Sequence, residues 1–270
     1  MKFSLLKIEC GDHKVPMLVI RPDTVRDNPP AVMWIHGGGY TSGMKEAVIL
    51  SRGMDLVRYF GATVFSPGYR LSPKYHYPEA IEECYACLKY IKDHSAELGI
   101  NKNQIMVGGE SAGGGLCASL AILARDRGEI NIAYQMPLYP MIDNLDTDSS
   151  RDNHGKVWNT KLNHMGWRKY LGENAGENVS PYAAAAREKN LKGLPPCYTY
   201  VGTGEPFYSE TVEYVRRLNE AGVKAEVDTY DTDFHSFDIY FPRSYNGKTA
   251  IKRFREHFGY ALTHYFAENI

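Results

Sequence analysis

Cysteine is scarce in this chain. Five occur in 270 residues, an odd and sparse set that fits reduced thiols in a cytoplasm better than a disulfide framework. No run of eighteen apolar residues is present, so no membrane-spanning helix is expected. The opening stretch MKFSLLKIECGDHK has too short an apolar run for a secretory signal and no small-residue cleavage site. A surplus of one charge sign is missing as well. The 31 Lys and Arg against 32 Asp and Glu leave a formal net charge of -1, which gives no electrostatic footing for nucleic acid. Internal repeats and low-complexity tracts are also missing.

Hydrophobic residues make up 43% of the chain, enough for a large core. KFSLLKIEC and VPMLVIRP flank the polar turn GDHK and read as an N-terminal hairpin. AVMWIH, ATVFSPGY, QIMVGG, YQMPLYPMI, CYTYVGTG and KAEVDTY read as strands, the shortest apolar runs being those buried on both faces. Between them MDLVRYFG, YPEAIEECYACLKYIKDHSAELG, AGGGLCASLAILARDRG and YSETVEYVRRLNEAG carry helical patterns, and GKTAIKRFREHFGYALTHYFAEN closes the chain as a helix. This alternation predicts one α/β domain over residues 1–270, with a mostly parallel sheet covered by helices on both faces. Residues 144–192 break the pattern. No strand is evident there, and TKLNHMGWRKYL reads as a short helix capped by Thr160. An insertion of that length is expected to act as a lid or binding element.

Glycine is concentrated around one serine. VGGESAGGGLCASL lies between a predicted strand and a predicted helix, and Gly109-Glu110-Ser111-Ala112-Gly113 fits G-x-S-x-G in the context that motif requires. A serine on a sharp strand-to-helix turn needs neighbours without bulk, and the helix N-terminus adds partial positive charge where negative charge develops. Two other readings compete: an ordinary glycine-rich turn, and a dinucleotide fingerprint at Gly113-x-Gly115-x-x-Ala118, which starts inside the helix and lacks the acidic strand end. HGGGY, His36 to Tyr40, ends a buried strand, where glycine N–H groups can approach an oxyanion. Gly37, Gly38 and the N–H of Ala112 are the candidate donors, with His36 pinning the loop. In α/β-hydrolases the triad runs Ser, then Asp or Glu, then His. His235 alone stands in a loop directly after a late strand, and Glu205 follows the strand before it. Glu210 reads as a solvated helix face, and Asp231 and Asp233 as loop-shaping. Tyr40, Trp158, Trp167 and Phe207 are candidate substrate-binding residues, with lid core an equal reading for the two tryptophans. Cys84 and Cys87 share one helix face and read as core. Most of the 20 tyrosines are expected in sheet–helix interfaces.

HGGGY, GYRLSPKYHYPEAIEE, GGESAGGGLCASLAILARD, PLYPMID, SPYAAA, LPPCYTYVGTGEPFYSE and FHSF together resemble, in order and spacing, the hormone-sensitive lipase-like esterases. The resemblance covers residues 30 to 240. It implies an α/β-hydrolase fold and cleavage of short-chain acyl esters, acetyl esters among them, through an acyl-enzyme with no cofactor and no metal. It makes Ser111 the nucleophile, His235 the base, Glu205 the acid and the HGGG glycines the oxyanion hole. The expected partner is a small acyl ester. Two departures stand out: Glu205 occupies the family's usual aspartate position, and the cap helices that usually precede the first core strands are replaced by the hairpin, leaving a reduced lid. Other readings are an amidase, formamidase or peptidase with the same triad, and a non-catalytic ligand-binding protein on this scaffold.

Overall fold

The computed structural model describes residues 1–24, 26–174, 176 and 178–269. Its strands are β1 (Lys2–Cys10), β2 (His13–Arg21), β3 (Pro30–Ile35), β4 (Thr63–Pro67), β5 (Asn101–Glu110), β6 (Tyr134–Leu138), β7 (Cys197–Gly202) and β8 (Ala225–Tyr230). They form one sheet in the order β1-β2-β4-β3-β5-β6-β7-β8. The expected hairpin pairs β1 with β2 from Lys2↔Arg21 to Cys10↔His13, and β2 runs antiparallel to β4. From β4 to β8 every pairing is parallel. Every residue of β3, β4, β6 and β7 is buried, as expected for parallel strands with helices on both faces.

The helices are α1 (Arg52–Phe60), α2 (Glu79–Asp93), α3 (Ser95–Leu98), α4 (Ala112–Arg127), α5 (Thr160–Leu171), α6 (Tyr208–Glu220), α7 (Phe237–Tyr240) and α8 (Tyr245–His264). The single helix expected after Tyr77 breaks at His94, whose φ of -106° and ψ of 20° leave the helical range. Thr160 is the first residue of α5 rather than its cap. Asn159 takes that place, its side chain accepting from Leu162 N, while Thr160 Oγ1 donates to Ser150 O at 2.6 Å. The short α7 follows the strand-end loop after β8 and was not expected.

Parallel strands share one carboxyl edge, and in open α/β sheets that edge carries the site. HGGGY leaves β3 there, Ser111 leaves β5, Glu205 follows β7 and His235 follows β8. The insertion over 144–192 lies over the same edge and holds α5 and two 3-10 turns, with no strand among its described residues; Ala175 and Glu177 lie outside those residues. It is tied down by side-chain bonds. Ser149 Oγ donates to Pro206 O at 2.8 Å, Ser209 N donates to Ser149 Oγ at 2.9 Å, and Asn153 Nδ2 donates to Gly204 O at 3.0 Å.

Candidate active site

Ser111 sits between β5 and α4 with φ 58° and ψ -121°, a backbone conformation that costs an L-residue of order 1–3 kcal/mol and persists only when its surroundings enforce it. They do. Ser111 N donates to Leu138 O at 3.0 Å, and Ser111 O accepts from Gly115 N at 2.9 Å and Met141 N at 3.0 Å. The turn is pressed against the end of β3. A Cβ on Gly113 would stand 2.1 Å from Ile35 O, and one on Gly37 would stand 3.2 Å from Ser111 Cβ. The two glycine-rich motifs are therefore in contact, and only residues without side chains allow it.

His235 Nε2 lies 2.9 Å from Ser111 Oγ, and His235 Nδ1 lies 2.5 Å from Glu205 Oε2. Glu205 is fully buried and His235 is 4% exposed. The other carboxylate oxygen, Glu205 Oε1, accepts from Gly202 N at 2.8 Å. That bond to the end of its own strand takes up the reach of the extra methylene and fixes the carboxylate. The rings of Tyr139 and Phe207 meet the imidazole edge-to-face at 5.1 and 5.2 Å. Ser236, the next residue, has φ 61°, which turns the chain sharply behind the ring. Asp233 packs beside Gly204, and Nδ1 is directed to Glu205.

His36 is held away from these groups. Its ring stacks on Tyr69 at 4.3 Å, its Nδ1 lies 2.8 Å from Gly37 O, and Tyr69 OH donates to His36 O at 2.9 Å. Burial pushes its pKa down, keeping the imidazole neutral. Of the four aromatic candidates, two face the site and two do not. Tyr40 is 1% exposed, donates to Met141 O at 2.8 Å and stacks on Tyr170 at 4.0 Å. Trp167 is 3% exposed and tilts against Tyr40 at 5.4 Å. Both are packed core. Trp158 covers the oxyanion-loop candidate directly, since a Cβ on Gly39 would lie 2.2 Å from its ring. Its ring stands 6.4 Å from Phe207, which faces His235.

Glu210 is not on a solvated face. It is 3% exposed, and Oε1 accepts from Ile142 N at 2.8 Å and Asp143 N at 3.2 Å. It pins the segment leaving β6, whose Met141 holds the serine turn. Glu110, inside the serine motif, is a further buried carboxyl with structural partners. Its Oε2 accepts from Trp34 Nε1 at 2.8 Å and its Oε1 from Arg52 N at 3.3 Å. Burial, opposed by the Trp34 bond and reinforced by Asp238, pushes its carboxyl up to about 8. The available signal was an acidic residue between a fully buried strand and a tightly packed turn. Cys84 and Cys87 are buried thiols with pKa values raised by burial. Among the described residues no group of three or more His, Cys, Asp or Glu is placed to hold a metal, and no helix is long and apolar enough to cross a membrane.

Residues 32–239 match a family model described as alpha/beta hydrolase fold. The carboxylesterase NlhH of Mycobacterium tuberculosis is 30% identical over 234 residues, spanning 84% of this chain and 72% of that protein. An acetyl esterase of Salmonella paratyphi B is 28% identical over 212 residues, 76% of this chain and 64% of that protein. Among solved structures, a bacterial heroin esterase superposes with a TM-score of 0.90 at 33% identity, covering 93% of this chain and 81% of that one.

Proposed function

Starting from a chain that belongs to the alpha/beta hydrolase family and is a carboxylic ester hydrolase, we propose that it cleaves short-chain acyl esters through an acyl-enzyme formed on Ser111. The observation that carries this reading is the buried Ser111–His235–Glu205 relay, with bonds of 2.9 and 2.5 Å. Ser111 Oγ attacks the ester carbonyl as His235 Nε2 takes its proton. Glu205, unable to rotate because Gly202 N holds its other oxygen, keeps Nδ1 protonated and stabilises the imidazolium. The N–H groups of Gly37, Gly38 and Ala112 receive the oxyanion, aided by the α4 N-terminus. His235 then returns the proton to the leaving alcohol, and water repeats the sequence on the acyl-enzyme.

The short-acyl preference rests on what stands around the glycine loop. Trp158 covers Gly39 and faces Phe207, while Tyr40, Trp167 and Tyr170 fill the space behind. A named acetyl esterase among the relatives agrees with a small acyl group. The 144–192 insertion serves as the cover of this pocket within a single catalytic domain.

A fluorophosphonate probe and a p-nitrophenyl acetate assay on the intact chain and on Ser111→Ala test the reading. Ser111→Ala should fold, fail to label and lose turnover by roughly six orders of magnitude. More than a few per cent of the activity retained in the pure variant removes Ser111 from the role. Rates on matched ester and amide substrates separate an esterase from an amidase on the same residues.

A further inference from the structure

Three elements of the site are linked beneath it through a buried pair, Arg52 and Asp238. Arg52, the first residue of α1, is 7% exposed. Its backbone N–H reaches Glu110, next to the serine, at 3.3 Å. Its Nε makes an ion-pair contact with Asp238 Oδ2 at 3.1 Å. Asp238 is fully buried in α7, three residues beyond His235, and the same Oδ2 accepts from Tyr200 OH at 2.8 Å. Tyr200 belongs to β7, the strand that carries Glu205. On its far side Arg52 Nη1 donates to Asp55 Oδ2 at 2.7 Å, and Asp55 is paired in turn with Arg255.

We propose that Arg52 and Asp238 are a positioning pair for the ester hydrolysis, holding the His235 loop in register with the serine turn and the Glu205 strand. The proposal rests on the reading of Ser111, His235 and Glu205 given above. The physical argument is one of constraint. The loop between β8 and α7 reverses through a left-handed Ser236 and has no strand or long helix of its own to fix it. A buried ion pair is seldom a net source of stability, because desolvation offsets its Coulomb energy, but it does select one arrangement of the elements it joins. Burial works against the Arg52 charge, yet Asp238, Tyr200 and Asp55 hold the guanidinium above its usual range, so Arg52 stays charged. The Asp238 carboxyl lies in the short helix directly after the loop that carries His235.

The test compares Asp238→Asn, Asp55→Asn and the charge-free double variant Arg52→Met/Asp238→Leu for kcat, KM, thermal midpoint and the pH profile of kcat/KM on p-nitrophenyl acetate. Asp238→Asn should lower kcat by roughly ten- to a hundredfold, the scale of a small misplacement of a reacting group, with KM within about twofold. Its acidic limb should move to lower pH, because Arg52 then keeps only the Asp55 carboxylate, on the side away from His235, and its positive charge disfavours imidazolium. Asp55→Asn removes a carboxylate from the same arginine on the side away from His235; its midpoint should fall comparably while kcat stays within about threefold. The double variant should lose kcat without the shift in the limb. A folded Asp238→Asn with kcat within about threefold of the intact chain, or an equal kcat loss in Asp55→Asn, overturns the proposal. Should Asp238→Asn fail to fold, the double variant decides, full activity overturning the proposal. If neither folds, the pair is a requirement of the fold and the positioning role is overturned. Fluorophosphonate labelling run alongside separates the two readings: a Ser111→Ala variant that still labels overturns the nucleophile, and this proposal with it, whereas intact labelling with an indifferent Asp238→Asn overturns this proposal alone.

Discussion

A methyl group on Gly37 is the sharpest probe of the glycine loop. Gly37 does not occupy the left-handed region, so alanine is free to adopt its backbone and only space is at issue. The added Cβ would lie 2.8 Å from Glu110 O and 3.2 Å from Ser111 Cβ, whereas ordinary contact begins at 3.4 Å. Both neighbours belong to the rigid serine turn, so the loop must retreat by roughly half an ångström, carrying its N–H donors with it. Removing an oxyanion donor outright costs about 2.7–4 kcal/mol, a factor of 10²–10³ in kcat. A partial withdrawal of donors from two adjacent glycines should therefore lower kcat by roughly 30- to 300-fold, with KM within about threefold. Overpacking should cost about 1–3 kcal/mol of stability. Gly176→Ala is the control, since a methyl there meets nothing within 4 Å among the described residues. Steady-state kinetics on p-nitrophenyl acetate, with thermal unfolding of each variant, decide the matter. A folded Gly37→Ala chain with kcat within about threefold of the parent would refute the claim that this loop stabilises the oxyanion.

Three more outcomes are expected. Glu205→Gln should lose roughly 10⁴ in kcat, with Asp233→Asn near the parent; the opposite ranking in purified variants reassigns the acid. On p-nitrophenyl esters, kcat/KM should peak from acetyl to butyryl and fall at least about tenfold by octanoyl, each methylene being worth about 1–3 kcal/mol, and Trp158→Ala should flatten that fall; a flat parental profile or a maximum at eight carbons or more sinks the short-acyl reading. Glu110 keeps its proton up to about pH 8 when folded but releases it from an ordinary value of 4.5 when unfolded, so this group's contribution to stability is present at low pH and is lost as pH rises between those values, by about 3–5 kcal/mol in all. Urea midpoints at several pH values across that window should fall less steeply in Glu110→Gln than in the parent, and identical slopes would contradict the buried neutral carboxyl.

What could be read from the residues was whatever leaves a local mark. The serine turn and the glycine loop announce themselves because close backbone approach removes side chains, and glycine is visible. Glu205 and His235 were legible from their places after successive strands. Other features were hidden for physical reasons. Glu210 opens a helix, where a carboxylate is ordinarily a solvated partner of the dipole, but its real partners are backbone N–H groups 68 and 67 residues back in the chain. The competition between Asn159 and Thr160 for the cap of α5 was settled by Ser150, which claims the threonine hydroxyl. Tyr40 follows the glycine loop just as a pocket aromatic would, and only its stack on Tyr170 and the tilted contact of Trp167 with the same ring show the two as core. Arg52 and Asp238 meet only once the sheet has assembled, and no spacing records it.

The insertion's attachment also bears on how such a protein can change. Ser149 and Asn153 hold Pro206 and Gly204, which flank the proposed acid on both sides. A segment of this kind is not an exchangeable module. Replacing the segment, whether by recombination in the laboratory or by drift over generations, would release the turn on which the proposed acid Glu205 sits. New substrate ranges are then more accessible through single side chains such as Trp158 than through wholesale replacement of the segment, and library designs that vary 144–192 would do well to leave its serine and asparagine anchors untouched.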